Sequence, residues 1–183
     1  MTISPETPHS VDAGRPLEWT DAGLLALLVF VLDALTKVVV WAFATPGVRY
    51  PVLGDVVRLL LVKNLLFGFS IPLPGLPGQW AYIALILGGL ALVMVCYRIT
   101  PPQARLAQAS LVLIGAGGLA NLLERAFTGG VTDFVSIGIG SHRWPTFNVA
   151  DIAVSVGVVI YLAGAWHRGG WRGLLIGAFR QQV

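Results

Sequence analysis

Long uncharged apolar runs alternate with short polar stretches along this chain, and each run is about the length that crosses a bilayer. Residues 22–43, 80–97, 106–123 and 148–166 each read as one apolar helix, because a hydrocarbon core of ~30 Å takes about 20 residues at a rise of about 1.5 Å. Between the first two runs the texture changes. RYPVLGDVVRLLLVKN carries short β-branched and apolar stretches punctuated by Pro, Gly and charge, which suits a strand or two at the interface. IPLPGLPGQW is turn and loop material, and Trp80 fits an interfacial aromatic at the next helix entrance. The tight ITPPQA turn makes the second and third helices antiparallel neighbours. Gly117 and Gly118 permit close helix approach. The pattern predicts an all-α membrane protein of four transmembrane helices. A flexible cytoplasmic tail spans residues 1–20, the membrane domain 21–168 and a basic cytoplasmic tail 169–183. Within the domain, 45–78 forms a small β-structured unit and 124–147 a loop on the same side.

Composition sharpens this picture. Hydrophobic residues make up 56% of the 183, and charged residues only 11%, against about 25% in a soluble domain. The net charge of +3 is spread over scattered Lys and Arg, so nucleic acid is not an expected partner; membrane lipids are. The single Cys96 excludes an internal disulfide and a Cys-based metal site. His9, His142 and His167 lie far apart, so neither metal nor cofactor is expected. The first run is read as a retained helix. The segment leading into it is acidic, and Asp33 and Lys37 interrupt it, unlike a cleavable signal. Arg98, Arg105 and the basic tail favour both termini inside, with the 117–151 stretch at the outer face.

That stretch, GGLANLLERAFTGGVTDFVSIGIGSHRWPTFNVAD, holds Asn121, Glu124, Arg125, Asp133, Asn148 and Asp151 in a chain otherwise poor in charge. Ionisable groups at a membrane are costly and therefore tend to be functional. Asp133 is placed in the loop after Gly129-Gly130, and Asp151, 18 positions on, at the start of the fourth helix. They converge only if the loop folds back over the helix ends. Two carboxylates sharing a proton can hydrolyse a peptide bond: one deprotonates water while the other protonates the carbonyl. Other hydrolytic patterns fail, since no GxSxG or HExxH occurs and no histidine is placed to serve a serine. Asp33 and Lys37, four apart, share a helix face and neutralise each other as structural support.

GGLANLLERAFTGGVTDF followed by FNVAD resembles the lipoprotein signal peptidase (signal peptidase II) family. That family shows an Asn-x-x-acid-Arg helix end, a Val-x-Asp-Phe segment and a Phe-Asn-x-Ala-Asp helix start. Asp33 and Lys37 match its first-helix Asp-x-x-x-Lys, and Asn64 with Phe69-Ser70 its Asn-x-x-x-x-Phe segment. The likeness covers about residues 22–166. It implies a four-helix inner-membrane aspartyl protease with a small extracytoplasmic β-cradle, which removes signal peptides from diacylglyceryl-modified prolipoproteins before the lipidated cysteine. The resemblance assigns the catalytic pair to Asp133 and Asp151. It gives Asn64, Asn121, Arg125 and Asn148 the task of orienting substrate or acids, and Asp33, Lys37 and Glu124 structural support. It also implies sensitivity to globomycin-type inhibitors. Glu124 stands where Asp is usual, and Leu66 and Ala120 where Gly is usual. The alternative these departures suggest is a catalytically inactive relative that binds lipoprotein signal peptides.

Overall fold

The computed structural model describes residues 17–65, 78–101 and 103–167. Most of both expected tails, Leu66 and the Phe69-Ser70 pair lie outside the described residues. The elements run α1 (Trp19–Phe43), β1 (Arg49–Leu53), β2 (Val57–Asn64), α2 (Gly78–Ile99), α3 (Arg105–Thr128), β3 (Val131–Ile139), β4 (His142–Arg143) and α4 (Val149–His167). Three helices are long and apolar enough to cross a membrane: Trp19–Phe43, Trp80–Ile99 and Arg105–Thr128. The apolar stretch of α4, Val149–Gly164, is a shorter fourth. Leucines and valines along α1, such as Leu24, Leu35 and Val38, are exposed, as expected of side chains whose solvent is lipid.

Two boundaries differ from the sequence expectation. Trp19 and Thr20, assigned to the tail, form the first turn of α1. The stretch 124–147, read as a loop, holds the last turn of α3 and strands β3 and β4. Asp133 therefore lies on a strand. The cause is local: Gly129 takes the left-handed conformation (φ 76°) and its N–H closes onto the Arg125 carbonyl, an αL cap that stops the helix. A Cβ at Gly130 would stand 2.9 Å from the Asn64 carbonyl oxygen, so only glycine lets the chain turn straight from α3 into pairing with β2.

The four strands form one antiparallel sheet in the order β1-β2-β3-β4. β2 and β3 pair Asn64 with Val131 and Val62 with Asp133. Asn64 and Asp133 are thus diagonal neighbours on one face, within reach of each other's side chains. The opposite face carries Phe134, which packs with Leu61 and with Val40 of α1.

α3 is the central helix and touches α1, α2, α4 and β3. Its contact with α4 is very close. A Cβ at Gly117 would fall 2.4 Å from the Ala150 carbonyl oxygen, and one at Gly157 2.6 Å from the Ser110 carbonyl oxygen. At the far end of the bundle, Arg105 of α3 pairs with Asp21 of α1 at 2.7 Å. Backbone cannot yield at Gly117, so Gly117→Ala must push α3 and α4 apart. Overpacking of this kind costs about 1–3 kcal/mol. Thermal unfolding in detergent should show a lowered Tm for Gly117→Ala and little change for Gly88→Ala, whose added Cβ meets nothing within 4 Å.

Candidate active site

The site assembles where α3 ends, α4 begins and β2 meets β3. Asn148 caps α4: its Oδ1 accepts the Asp151 N–H at 2.9 Å, and an Asp151 carboxylate oxygen accepts the Asn148 N–H at 3.1 Å. This reciprocal capping box fixes the first turn of the helix and the Asp151 side chain together. The same Asn148 side chain donates from Nδ2 to Asp133 Oδ1 at 2.8 Å and to Asn121 Oδ1 at 3.1 Å. One fully buried asparagine therefore bonds to both carboxylates. Asn64 donates to the other Asp133 oxygen at 2.9 Å, and Asn121 to Asp151 at 2.8 Å.

Asp133 is buried to 1% exposure. Burial, and after it the charge of Asp151, raises its pKa to about 7, against the opposing hydrogen bonds of Asn64 and Asn148. A carboxyl in that position holds a proton near neutral pH, as a paired acid requires.

Around this centre lies a second layer. Asp33 pairs with Lys37 at 2.6 Å, as the spacing predicts. It also accepts the Ala150 N–H at 3.0 Å, filling one of the backbone donors that a helix start leaves open. An acid from α1 thus anchors the turn bearing Asp151. Lys37 reaches Glu124 at 2.9 Å and Asn121 Oδ1 at 3.3 Å. Glu124 also takes Lys63 at 3.0 Å, the Thr132 N–H at 3.0 Å and the Thr132 hydroxyl at 2.6 Å. It ties α3 to both strands beside Asp133.

Arg125 lines the same cavity as the acids. Its guanidinium donates to the carbonyls of Leu65 and Asn64 at 3.1 and 3.3 Å and lies 5.7 Å from the Tyr82 ring centroid. It fixes the end of β2, and so Asn64. Lys63, Thr132 and Tyr82 carry parts of the site that the sequence reading passed over. The strand alternation around Asp133 is the signal that would have singled out Thr132.

A cavity of about 370 Å³ opens onto the pair between α2, α3 and α4. Asn64, Asn121, Arg125, Asp133 and Asp151 line its polar end, and Leu85, Gly89, Leu90 and Ile114 belong to its apolar wall. Among the described residues no group of His, Cys, Asp or Glu is arranged to hold a metal ion. The two acids have asparagine partners instead, so the arrangement suits proton transfer to and from a bound apolar substrate.

Residues 25–167 match the family model described as Signal peptidase (SPase) II. The chain is 35% identical to the lipoprotein signal peptidase of Burkholderia mallei over 141 residues, covering 75% of this chain and 82% of that protein. It is also 35% identical to the lipoprotein signal peptidase of Cupriavidus taiwanensis, covering 84% of this chain and 85% of that one. A solved structure described as a bacterial membrane enzyme superposes with a TM-score of 0.70 at 21% identity, over 85% of this chain and 93% of that chain. That likeness speaks to the fold.

Asp33→Ala should leave Lys37 without its closest partner and Ala150 without its acceptor. Breaking a buried pair costs about 3–5 kcal/mol, readable as a large drop in Tm in detergent. Asp33→Asn keeps an oxygen for the Ala150 N–H and should recover part of that loss. Equal Tm values for both variants would show that the cap contributes nothing.

Proposed function

Because this chain belongs to the signal peptidase II family, and so is a peptidase that removes lipoprotein signal peptides, we propose that Asp133 and Asp151 hydrolyse the scissile peptide bond. The observation that carries this reading is Asn148, which donates to both carboxylates at the polar end of an apolar cavity. Asp133 supplies the proton. Asp151 takes one proton from water, whose oxygen adds to the scissile carbonyl carbon while Asp133 protonates the carbonyl oxygen. Collapse of the resulting diol breaks the C–N bond, and the leaving amine takes up a proton from the pair. Asn64 and Asn121, which line the cavity, hold the acids in place and offer amides to the substrate. Asn148 is fully buried and positions the acids only.

The substrate class is a prolipoprotein carrying a diacylglyceryl-modified cysteine, cut just before that residue. The apolar wall of the cavity suits the signal peptide and the lipid, and a globomycin-type inhibitor would compete there. We place the chain in the bacterial inner membrane with both termini cytoplasmic and the acids near the outer leaflet. Support comes from the loop arginines Arg98 and Arg105 at the opposite end of the bundle from the sheet. An inactive, binding-only relative is disfavoured because both acids and their asparagine partners are intact.

Purified protein should cleave a diacylglyceryl-modified prolipoprotein in a gel-shift assay. Asp133→Asn and Asp151→Asn should each lose at least about a thousandfold in rate while still inserting. Cleavage at the parent rate by both variants would overturn the assignment. Because the raised pKa keeps Asp133 protonated below about 7, activity should be present below that pH and fall as pH rises through it.

The cavity wall gives a separate test. Gly89 faces the cavity and a Cβ there meets nothing within 4 Å. Gly89→Phe should therefore fold normally yet fill the groove, raising KM about tenfold or more. Gly88→Phe, one position around the same helix and outside the lining, should leave KM unchanged.

A further inference from the structure

The far end of the sheet carries a row of arginines that hydrolysis does not use. Arg49 on β1 is diagonal to Arg58 on β2 through the Arg49–Leu60 and Pro51–Arg58 pairs. Arg58 pairs with Ser136 on β3, and Arg143 on β4 donates to the Ser136 hydroxyl at 2.9 Å. The row thus crosses all four strands on one face. Burial, and then the like charges of Arg143 and Arg49, hold the Arg58 guanidinium below its ordinary pKa. Asp55 is the acid within reach, pairing with Arg58 and lying 4.0 Å from Arg143. Three cations therefore face one anion.

The location of this face follows from the strand alternation. Thr132, Phe134 and Ser136 point to the same side of β3. Thr132 accepts a hydrogen bond from Trp41 of α1 at 3.1 Å, and Phe134 packs on Val40. The arginine row continues that side of the sheet beyond the end of α1. The sheet is joined directly to the ends of α1 and α3, which fixes it at the level where those helices leave the bilayer. Phe43 and Phe127 stand 84% exposed at those helix ends, and Trp80 72% exposed at the start of α2, forming an aromatic belt. At the adjoining β1–β2 turn, Val52 and Val56 are exposed as well. Apolar side chains interleaved with cations are what an interfacial surface presents to lipid.

We propose that this face of the sheet binds the headgroups of anionic phospholipids of the phosphatidylglycerol type. The arginine forks hold the phosphodiester, and the apolar rim enters the adjoining acyl region. Arginine suits the task because its planar fork matches phosphate bidentately. Arg143 is also bound to the carbonyls of Asp55 and Ser136 at 2.9 Å, so it shapes the surface, while Arg49 and Arg58 supply contact. The proposal rests on the membrane placement of the sheet and is independent of which acids cut the peptide.

The test uses full-length protein reconstituted in vesicles of phosphatidylcholine alone or mixed with phosphatidylglycerol. Native mass spectrometry after extraction counts the phosphatidylglycerol retained. The parent should retain it over phosphatidylcholine. Arg49→Gln and Arg58→Gln should each lower that affinity about fivefold, since a basic residue near an anionic surface contributes on that scale, and the double variant should retain almost none. Cleavage by both variants in phosphatidylcholine should match the parent. Equal retention by parent and double variant would overturn the proposal. So would displacement of the lipid by soluble glycerophosphate, which would mark a free-phosphate site.

Discussion

Two like-charged carboxylates buried at the end of an apolar bundle set the terms for the rest of this structure. Each must be surrounded by hydrogen-bond donors, and the pair must be spared full double ionisation. A single asparagine meets most of this requirement. Asn148 gives its side-chain amide to Asp133 and its backbone N–H to Asp151. Donors without a formal charge keep the site polar while leaving the proton on the pair, where a lysine or arginine in direct contact would favour loss of that proton. Nearby cations meet the network elsewhere too: Lys37 reaches Asn121, and Arg125 the Asn64 carbonyl at the end of β2.

Holding the asparagines takes most of the surrounding architecture. Gly117 and Gly157 bring α3 against α4 so that Asn121 meets Asp151. Gly129 and Gly130 turn α3 directly into β3, which sets Asp133 beside Asn64. Asp33 holds the start of α4 from α1, and Glu124 clamps Thr132 from α3. Interactions that would otherwise be read as charge neutralisation in lipid are, in this geometry, rigid supports for the two carboxylates. The cavity wall is built differently. The bare Gly89 on α2 leaves open space in the cavity wall.

Much of this was legible in the chain. Helix number and order follow from apolar runs, because a bilayer imposes their length. The Asp33–Lys37 pair follows from helical spacing alone. The two acids stood out because charge is rare here. Three features were not legible. Asp133 reads as a loop residue because its strand starts directly after Gly129-Gly130 and its partner strand lies some 70 positions earlier. Asp33 capping α4 depends on the packing of α1 against a helix more than a hundred residues away. Arg125 reads as a site residue, but its reach to the Leu65 and Asn64 carbonyls depends on the folded sheet. Each of these features is a long-range contact, which local periodicity does not encode.

The central claim is that Asp133 carries a proton near neutral pH while hydrogen-bonded through Asn148 to Asp151. Difference infrared spectroscopy of the membrane-reconstituted parent against Asp133→Asn tests it most directly. The account predicts a protonated-carboxyl C=O band at pH 6 that is absent from the variant and fades in the parent as pH rises through about 7. A parent spectrum with only carboxylate bands at pH 6, or a protonated band that survives in Asp133→Asn, would contradict it.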